Sequence, residues 1–191
     1  NNETGVIQPL RDIADIIANQ GIFLMSDATQ ALGQIGLDEV FDTVDFACFS
    51  SHKVYGPKGM GMVYCKNGPA YSILQSFIQG GGQQKGWRGG TLNTPGIVGM
   101  SKAIELCNDH LDKEISRLTR LRDLLEEGLL SIEMSVCNGH SAPRLPNTTN
   151  ISFAYTNGAE LLRALSKDMA VSNGSACNAV SENPSHVLVA I

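Results

Sequence analysis

The sequence has no apolar run approaching the ~18 residues of a membrane span, and no signal peptide is visible. Positive charge is in short supply: 14 Lys and Arg stand against 19 Asp and Glu, for a formal net charge of −5. A nucleic-acid surface shows as a basic patch or stripe, so direct nucleic-acid binding is not expected, and neither is a membrane partner. Charged residues of both signs make up only 17% against 42% hydrophobic residues, a balance that favours a packed core over disorder. Repeats and low-complexity tracts are absent. The five cysteines, Cys48, Cys65, Cys107, Cys137 and Cys177, are odd in number and scattered. A secreted disulfide framework is denser and usually even, so the chain reads as a reducing, cytoplasmic protein. Cys137-x-x-His140 has no second Cys or His pair at ligand spacing. It reads as a strand-end cysteine beside a loop histidine, and no metal is expected. Gly80-Gly81-Gly82 lacks a following Walker lysine, no G-x-G-x-x-G appears, and the triplet reads as a turn.

What is present suggests α/β layering. Leu10, Ile13, Ala14 and Ile17 stand at helical spacing, with Gly21 as a stop. Three short apolar runs follow: Ile22 to Met25 leading to Ser26-Asp27, Phe46 to Phe49 leading to Ser50-Ser51-His52-Lys53, and Met60 to Cys65. A helix among short apolar runs is the pattern of a layered α/β domain. Thr94-Pro95 predicts an N-cap with proline at the first helical position, and a helix from Pro95 to Asn108. Leu111, Ile115, Leu118, Leu125 and Leu129 predict a second long helix packed on a domain. Ala142 to Asn150 reads as a loop, Asn150 to Tyr155 as a strand, Ala159 to Ser166 as a helix and Ala170 to Ser172 as a short strand. The 191 residues suffice for one domain or parts of two, and a boundary is expected near residue 105. The chain opens Asn1-Asn2-Glu3 without Met and stops at Ala190-Ile191 inside an apolar pattern, so both ends are expected to be cut.

Asp27 and Lys53 each follow an apolar run. Ligands of parallel α/β sheets gather at the carboxyl ends of strands, so two strands would deliver an acid and a lysine to one crevice. A pyridoxal-phosphate site needs that pair, a lysine for the Schiff base and an acid at the pyridinium nitrogen. Plainer readings compete. Asp27-Ala28-Thr29-Gln30 also fits a capping box, and most lysines are solvated surface charges. Cys177 stands apart from the other cysteines. Cys48, Cys65 and Cys107 lie on apolar runs and are expected to be small buried hydrophobes. Cys177 lies among Asn173, Gly174, Ser175, Asn178, Ser181, Glu182 and Asn183, a polar loop in which a thiol can be accessible.

Read together, Asp27-Ala28-Thr29-Gln30 and Ser50-Ser51-His52-Lys53-Val54-Tyr55-Gly56-Pro57-Lys58-Gly59 resemble the cofactor site of the cysteine desulfurases, within the class V aminotransferases. Asn1-Asn2-Glu3-Thr4-Gly5, Arg88-Gly89-Gly90-Thr91, Ser172-Asn173-Gly174-Ser175-Ala176-Cys177 and Pro184-Ser185-His186-Val187-Leu188 extend the resemblance along the whole chain, in order. Gln84, Lys85 and Ser51 depart from the family's more common Glu, Arg and Gly. The resemblance implies an α/β, fold type I pyridoxal-phosphate transferase (aspartate aminotransferase-like), incomplete here. Residues 1–105 would be the later part of the large domain. Residues 106–191 would be a linking helix and part of the small domain.

It further implies a role for each residue. Lys53 would hold pyridoxal 5'-phosphate and move the Cα proton. Asp27 would face the pyridinium nitrogen, and Gln30 the phenolic oxygen. Ser50 and His52 would bind the phosphate, and Asn2 would lie near the substrate carboxylate and the ring. Thr91 would reach the phosphate in a neighbouring subunit, making the enzyme a homodimer. Cys177 would take sulfur from L-cysteine, leaving L-alanine, and pass it to an acceptor or iron–sulfur scaffold protein for cluster assembly or tRNA thiolation. The alternatives are a selenocysteine lyase or another class V enzyme without the persulfide step, or an inactive half-chain. In the family the substrate-carboxylate arginine lies beyond the nucleophile loop, and a ring-stacking residue lies upstream of the stretch matching Asn1. The full-length parent is therefore expected to be active and the 191-residue piece inactive.

Overall fold

A computed structural model describes residues 1–172 and 185–191. The chain divides into two units, Pro9–Glu114 and a second formed by Asn1–Gln8 with Ile115–Ile191, where a boundary near residue 105 is expected from sequence.

In the first unit the helical stripe forms α1 (Leu10–Ile17), followed by turns to Gly21 at φ +68°. The three apolar runs become β1 (Met25–Asp27), β2 (Phe46–Ser50) and β3 (Gly61–Cys65), ordered β1-β2-β3. β1 is parallel to β2, with Met25 opposite Phe46 and Asp27 opposite Cys48. β3 is antiparallel to β2, with Cys48 opposite Val63 and Ser50 opposite Gly61. β1 overlaps its apolar run only at Met25, goes on through Ser26 to Asp27, and is preceded by Leu24. The Leu24 N–H donates to the Asp45 carboxylate at 2.8 Å, and its carbonyl accepts from Asp45 and Phe46.

Side chains alternate across a strand, and this sheet uses the alternation. Ala47 and Phe49 point into a core with Val40, Val44, Val54, Met100 and Ala103, joined by Tyr64 from β3. Phe41, on the short helix α2 (Asp38–Thr43), packs against the rings of Phe49 and Tyr64 at centroid distances of 6.1 and 4.8 Å. Phe46, Cys48 and Ser50 alternate to the opposite face, as do Met25 and Asp27 on β1.

After α3 (Pro69–Ile73) comes α4 (Thr94–Asp109). Its N-cap is Asn93, which accepts from the Gly96 N–H at 3.1 Å, rather than the Thr94 expected from sequence. The amide oxygen of Asn93 reaches the third residue on, and this leaves Pro95 in the first turn. Gly96, Gly99, Met100 and Ala103 form one α4 face against the loop after β2. A Cβ on Gly99 would lie 2.6 Å from Pro57 Cγ, and one on Gly96 would lie 2.6 Å from Met60 Cγ. Small residues at helical spacing therefore let α4 support that loop directly.

The second long helix, α5, runs Leu111–Leu130. In the second unit, β4 (Ser135–Cys137) pairs antiparallel with β5 (Ile151–Phe153). α6 (Gly158–Leu165) is capped by Asn157, which accepts from Ala159 and Glu160, and α7 (His186–Ala190) is capped by Ser185. The strand expected at Ala170–Ser172 does not form: no described strand pairs with it, and Met169 and Val171 are half-exposed. Among the described residues, no helix is long and apolar enough to cross a membrane.

Candidate active site

Asp27 ends β1, and Ser50 ends the neighbouring parallel strand β2. A 3₁₀ turn, Ser51–Val54, carries Lys53 directly beyond that end. The acid and the lysine therefore leave the same edge of two adjacent parallel strands. The turn is tightly rooted. Ser51 is fully buried, its N–H donates to the Met60 carbonyl at 3.0 Å, and its carbonyl accepts from Gly56 at 3.0 Å. Val54 is also buried, whereas His52 and Lys53 are exposed. Tyr55 closes the turn in the left-handed region at φ +64°. Gly56 is needed for a close approach, since a Cβ there would lie 2.1 Å from Ser51 Oγ.

The electrostatics of this edge are specific. Burial tends to raise the Asp27 pKa, but hydrogen bonds led by those from the Thr29 hydroxyl and N–H outweigh it. The carboxyl lies below its ordinary value and stays ionised at neutral pH. The Thr29 N–H donates to Asp27 Oδ1 at 3.0 Å, so the acid caps the turn that follows it. Ser50 Oγ and His52 Nδ1 lie 2.8 Å apart, a hydroxyl–imidazole pair beside the lysine turn. Gln30 is half-buried in the turn after Asp27. Thr91 is exposed in the segment leading to α4. An ionised carboxylate, a lysine amine and a hydroxyl–imidazole donor pair make a donor set that fits a phosphorylated, nitrogen-containing ring.

Of the residues singled out from sequence, Asp27, Ser50, His52 and Lys53 lie at or just beyond the carboxyl ends of the parallel strands β1 and β2. Gln30 and Thr91 belong to the same unit. Asn2 belongs to the other, in a turn where Asn1 Oδ1 accepts from the Glu3 and Thr4 N–H groups at 2.9 and 3.1 Å. Cys177 lies outside the described residues. Cys48, Cys65 and Cys107, expected to be buried, are partly exposed, and among the described cysteines Cys137 is buried. Cys48 and Cys65 lie on the sheet face opposite Ala47 and Phe49, so their apolar runs did not guarantee burial.

Cys137 does end a strand, with an exposed His140 after it. Ligand-type atoms of Glu126, Cys137 and His140 lie within 4.8 Å of one another. Both Glu126 oxygens are nevertheless taken by Arg144, at 2.6 and 2.9 Å, and Arg144 also donates to Cys137 Sγ at 3.4 Å. Neither the Asp27–Cys48 pairing nor the Ser51–Gly56 contact was visible in sequence. The first depends on strand register, the second on loop closure.

A family model described as aminotransferase class-V matches residues 1–191. A protein named cysteine desulfurase IscS, from Anaeromyxobacter sp. (strain K), is 45% identical over 192 residues, covering 100% of this chain and 47% of the relative. A mitochondrial cysteine desulfurase of Saccharomyces cerevisiae is 43% identical, covering 100% of this chain and 38% of the relative. The solved structure of a NifS-like protein from Rickettsia africae superposes with a TM-score of 0.82 at 30% identity, over 92% of this chain and 48% of that one. A structure titled SspA in complex with cysteine gives 0.74 at 35% identity, over 100% of this chain and 52% of that one. The chain thus spans about half the length, or less, of the curated relatives it matches.

Proposed function

The chain belongs to the class V aminotransferase family, and from that premise we propose that the protein carrying it is a pyridoxal-phosphate-dependent cysteine desulfurase. The observation that carries the reading is the delivery of an ionised Asp27 and of Lys53 from one edge of two parallel strands. The residues that would hold the cofactor are Lys53, Asp27, Gln30, Ser50 and His52, with Asn2 near the ring and substrate carboxylate. Pyridoxal phosphate, when bound, supplies an electron sink for a carbanion at the substrate Cα.

The chain's own groups do the rest. Asp27 is a carboxylate at neutral pH, with hydrogen bonds led by Thr29 holding its pKa below the ordinary value against the effect of burial, so it can hold a proton on a ring nitrogen. Lys53, exposed on a turn whose root is buried, moves the proton at the substrate Cα. Ser50 and His52 supply donors for a phosphate. Cys177 accepts the substrate sulfur as a thiolate nucleophile. The exchange balances without an outside oxidant: L-cysteine and a thiol give L-alanine and a persulfide.

L-cysteine as substrate is supported by the names of the relatives and by the cysteine in the SspA title. A homodimer, with Thr91 reaching the neighbouring subunit's phosphate, belongs to the same proposal. So do a sulfur-acceptor or iron–sulfur scaffold partner and a cytoplasmic site of action. The proposed division of residues 1–105 and 106–191 between a large and a small domain completes it.

The test is Cys177→Ala in the full-length protein. Alanine and sulfide production should fall to background while the cofactor's visible absorbance is retained. Activity near wild type would instead indicate a lyase that releases the chalcogen without this cysteine. Loss of the absorbance would make Cys177 structural.

A further inference from the structure

We propose that Asn150 is a positioning residue for Asn2: its side-chain amide holds the backbone of the turn that presents Asn2. The inference rests on the reading of Asn2 as a residue beside the substrate carboxylate and deepens it.

The turn is small, and its side chains differ sharply in exposure. Asn2 is exposed at its head, whereas Glu3 and Thr4 behind it are only 6% and 4% exposed. Asn1 Oδ1 accepts from the Glu3 and Thr4 N–H groups, and the Asn1 carbonyl accepts from the Gly5 N–H at 3.0 Å. Those bonds are internal to the turn. Its attachment comes from residues far along the chain. The Asn150 amide nitrogen donates to the Glu3 carbonyl at 3.2 Å, and the Leu145 N–H donates to the Gly5 carbonyl at 2.8 Å. Of these two, the Asn150 bond falls on the residue next to Asn2.

The Asn150 amide is itself oriented. Asn150 immediately precedes β5, and Asn138 immediately follows β4. The Asn138 N–H donates to the Asn150 carbonyl at 2.9 Å and continues the antiparallel ladder. The Asn138 side-chain nitrogen donates to Asn150 Oδ1 at 2.7 Å and to Ser152 Oγ at 2.8 Å, which uses both of its hydrogens. The last acceptor fixes the direction of this relay. A carbonyl can only accept, so Asn150 must turn its nitrogen to Glu3 and its oxygen to Asn138. Asn150 and Ser152 stand two residues apart on an extended chain and share a face, so one Asn138 amide can hold both. The β4–β5 pairing is thus passed through two amides to the backbone beside Asn2. Aspartate at position 150 would have the same shape and still accept from Asn138, but an ionised carboxylate cannot donate to Glu3.

The experiment uses the full-length protein. Without cofactor, hydrogen exchange read on peptides covering residues 1–8 should be about two- to tenfold faster at the Glu3, Thr4 and Gly5 amides in Asn150→Asp, with α5 unchanged. With cofactor bound, the KM for L-cysteine should rise about two- to tenfold in the same variant, while kcat stays within about twofold. Asn2→Ala should itself raise KM, and in that background Asn150→Asp should add less than about twofold. If Asn150→Asp does not fold, Asn138→Ala, which removes the donor that orients the Asn150 amide, should give the same pattern with smaller changes. Unchanged exchange at residues 3–5, or exchange that rises equally in α5, overturns the positioning role. So does a KM rise that is the same with and without the Asn2 side chain. Those results leave the reading of Asn2 standing as long as Asn2→Ala raises KM. If Asn2→Ala leaves KM unchanged, that reading falls and the positioning role falls with it.

Discussion

At the scale of single residues, the lysine turn depends on a contact between two small side chains. Ser51 is fully buried, its hydroxyl has no hydrogen-bond partner, and it fills the space a Gly56 side chain would need. Gly56→Ala should destabilise the full-length protein by about 1–3 kcal/mol, the usual cost of overpacking. Ser51→Gly in the same chain should recover part of that loss. Thermal denaturation of the two single variants and the double variant checks both statements, and additive losses would disprove the contact. Ser51→Ala alone removes an unsatisfied buried hydroxyl and should be neutral or stabilising by up to about 1 kcal/mol. At this scale the sequence revealed which residue types carry chemistry, since Asp27, Lys53 and His52 stand in long, specific motifs. It did not reveal which neighbours tune them. Cys48 lies 21 positions from Asp27 in the chain and stands opposite it only because β1 and β2 pair in one register.

At the scale of elements, the second unit is organised by a buried ion pair. Glu126 on α5 and Arg144 in the loop before β5 have side chains only 7% and 6% exposed, and they meet at 2.6 Å. Arg144 also pairs by backbone with Val6, and Leu145 donates to Gly5. The pair thus lies beside the anchorage of the segment that presents Asn2. The hydrogen bond from Arg144 holds Glu126 at a pKa of about 2, well below the ordinary 4.5 of a glutamate. A carboxylate with a depressed folded-state pKa stabilises fully above its unfolded value, and the contribution is lost as pH falls through the folded one. Urea midpoints should therefore drop as pH is lowered from about 5 towards 2, and the part due to Glu126 should vanish in Glu126→Gln. Arg144→Met, which leaves a buried carboxylate unpaired, should cost about 3–5 kcal/mol. A loss below about 1 kcal/mol, typical of a surface pair, would contradict the burial.

Long elements were the legible ones. The stripes of α1, α4 and α5 and the apolar runs of β2 and β3 appear close to where periodicity puts them. Short elements were legible only in part: β5 and α6 form where the sequence puts them, and others do not. The Ala170–Ser172 stretch has strand-like residues but pairs with no described strand, and α2, with six residues, is fixed by packing of Val40 and Phe41 rather than by a periodic pattern.

At the scale of the whole molecule, the sheet has a division of labour. One face, Ala47 and Phe49 with Tyr64, joins the core, and the other presents Asp27, Cys48 and Ser50. The lysine turn is backed by the small-residue face of α4. Rigid backing and an open edge are what a site for a large cofactor requires. The central claim is that Lys53 is the residue that holds it. The most direct measurement is borohydride reduction of the full-length protein with bound pyridoxal phosphate, followed by peptide mass mapping. One modified residue, Lys53, is expected, with no trapped cofactor in Lys53→Ala. Modification at Lys58 or Lys66 instead, with Lys53 unmodified, would contradict it.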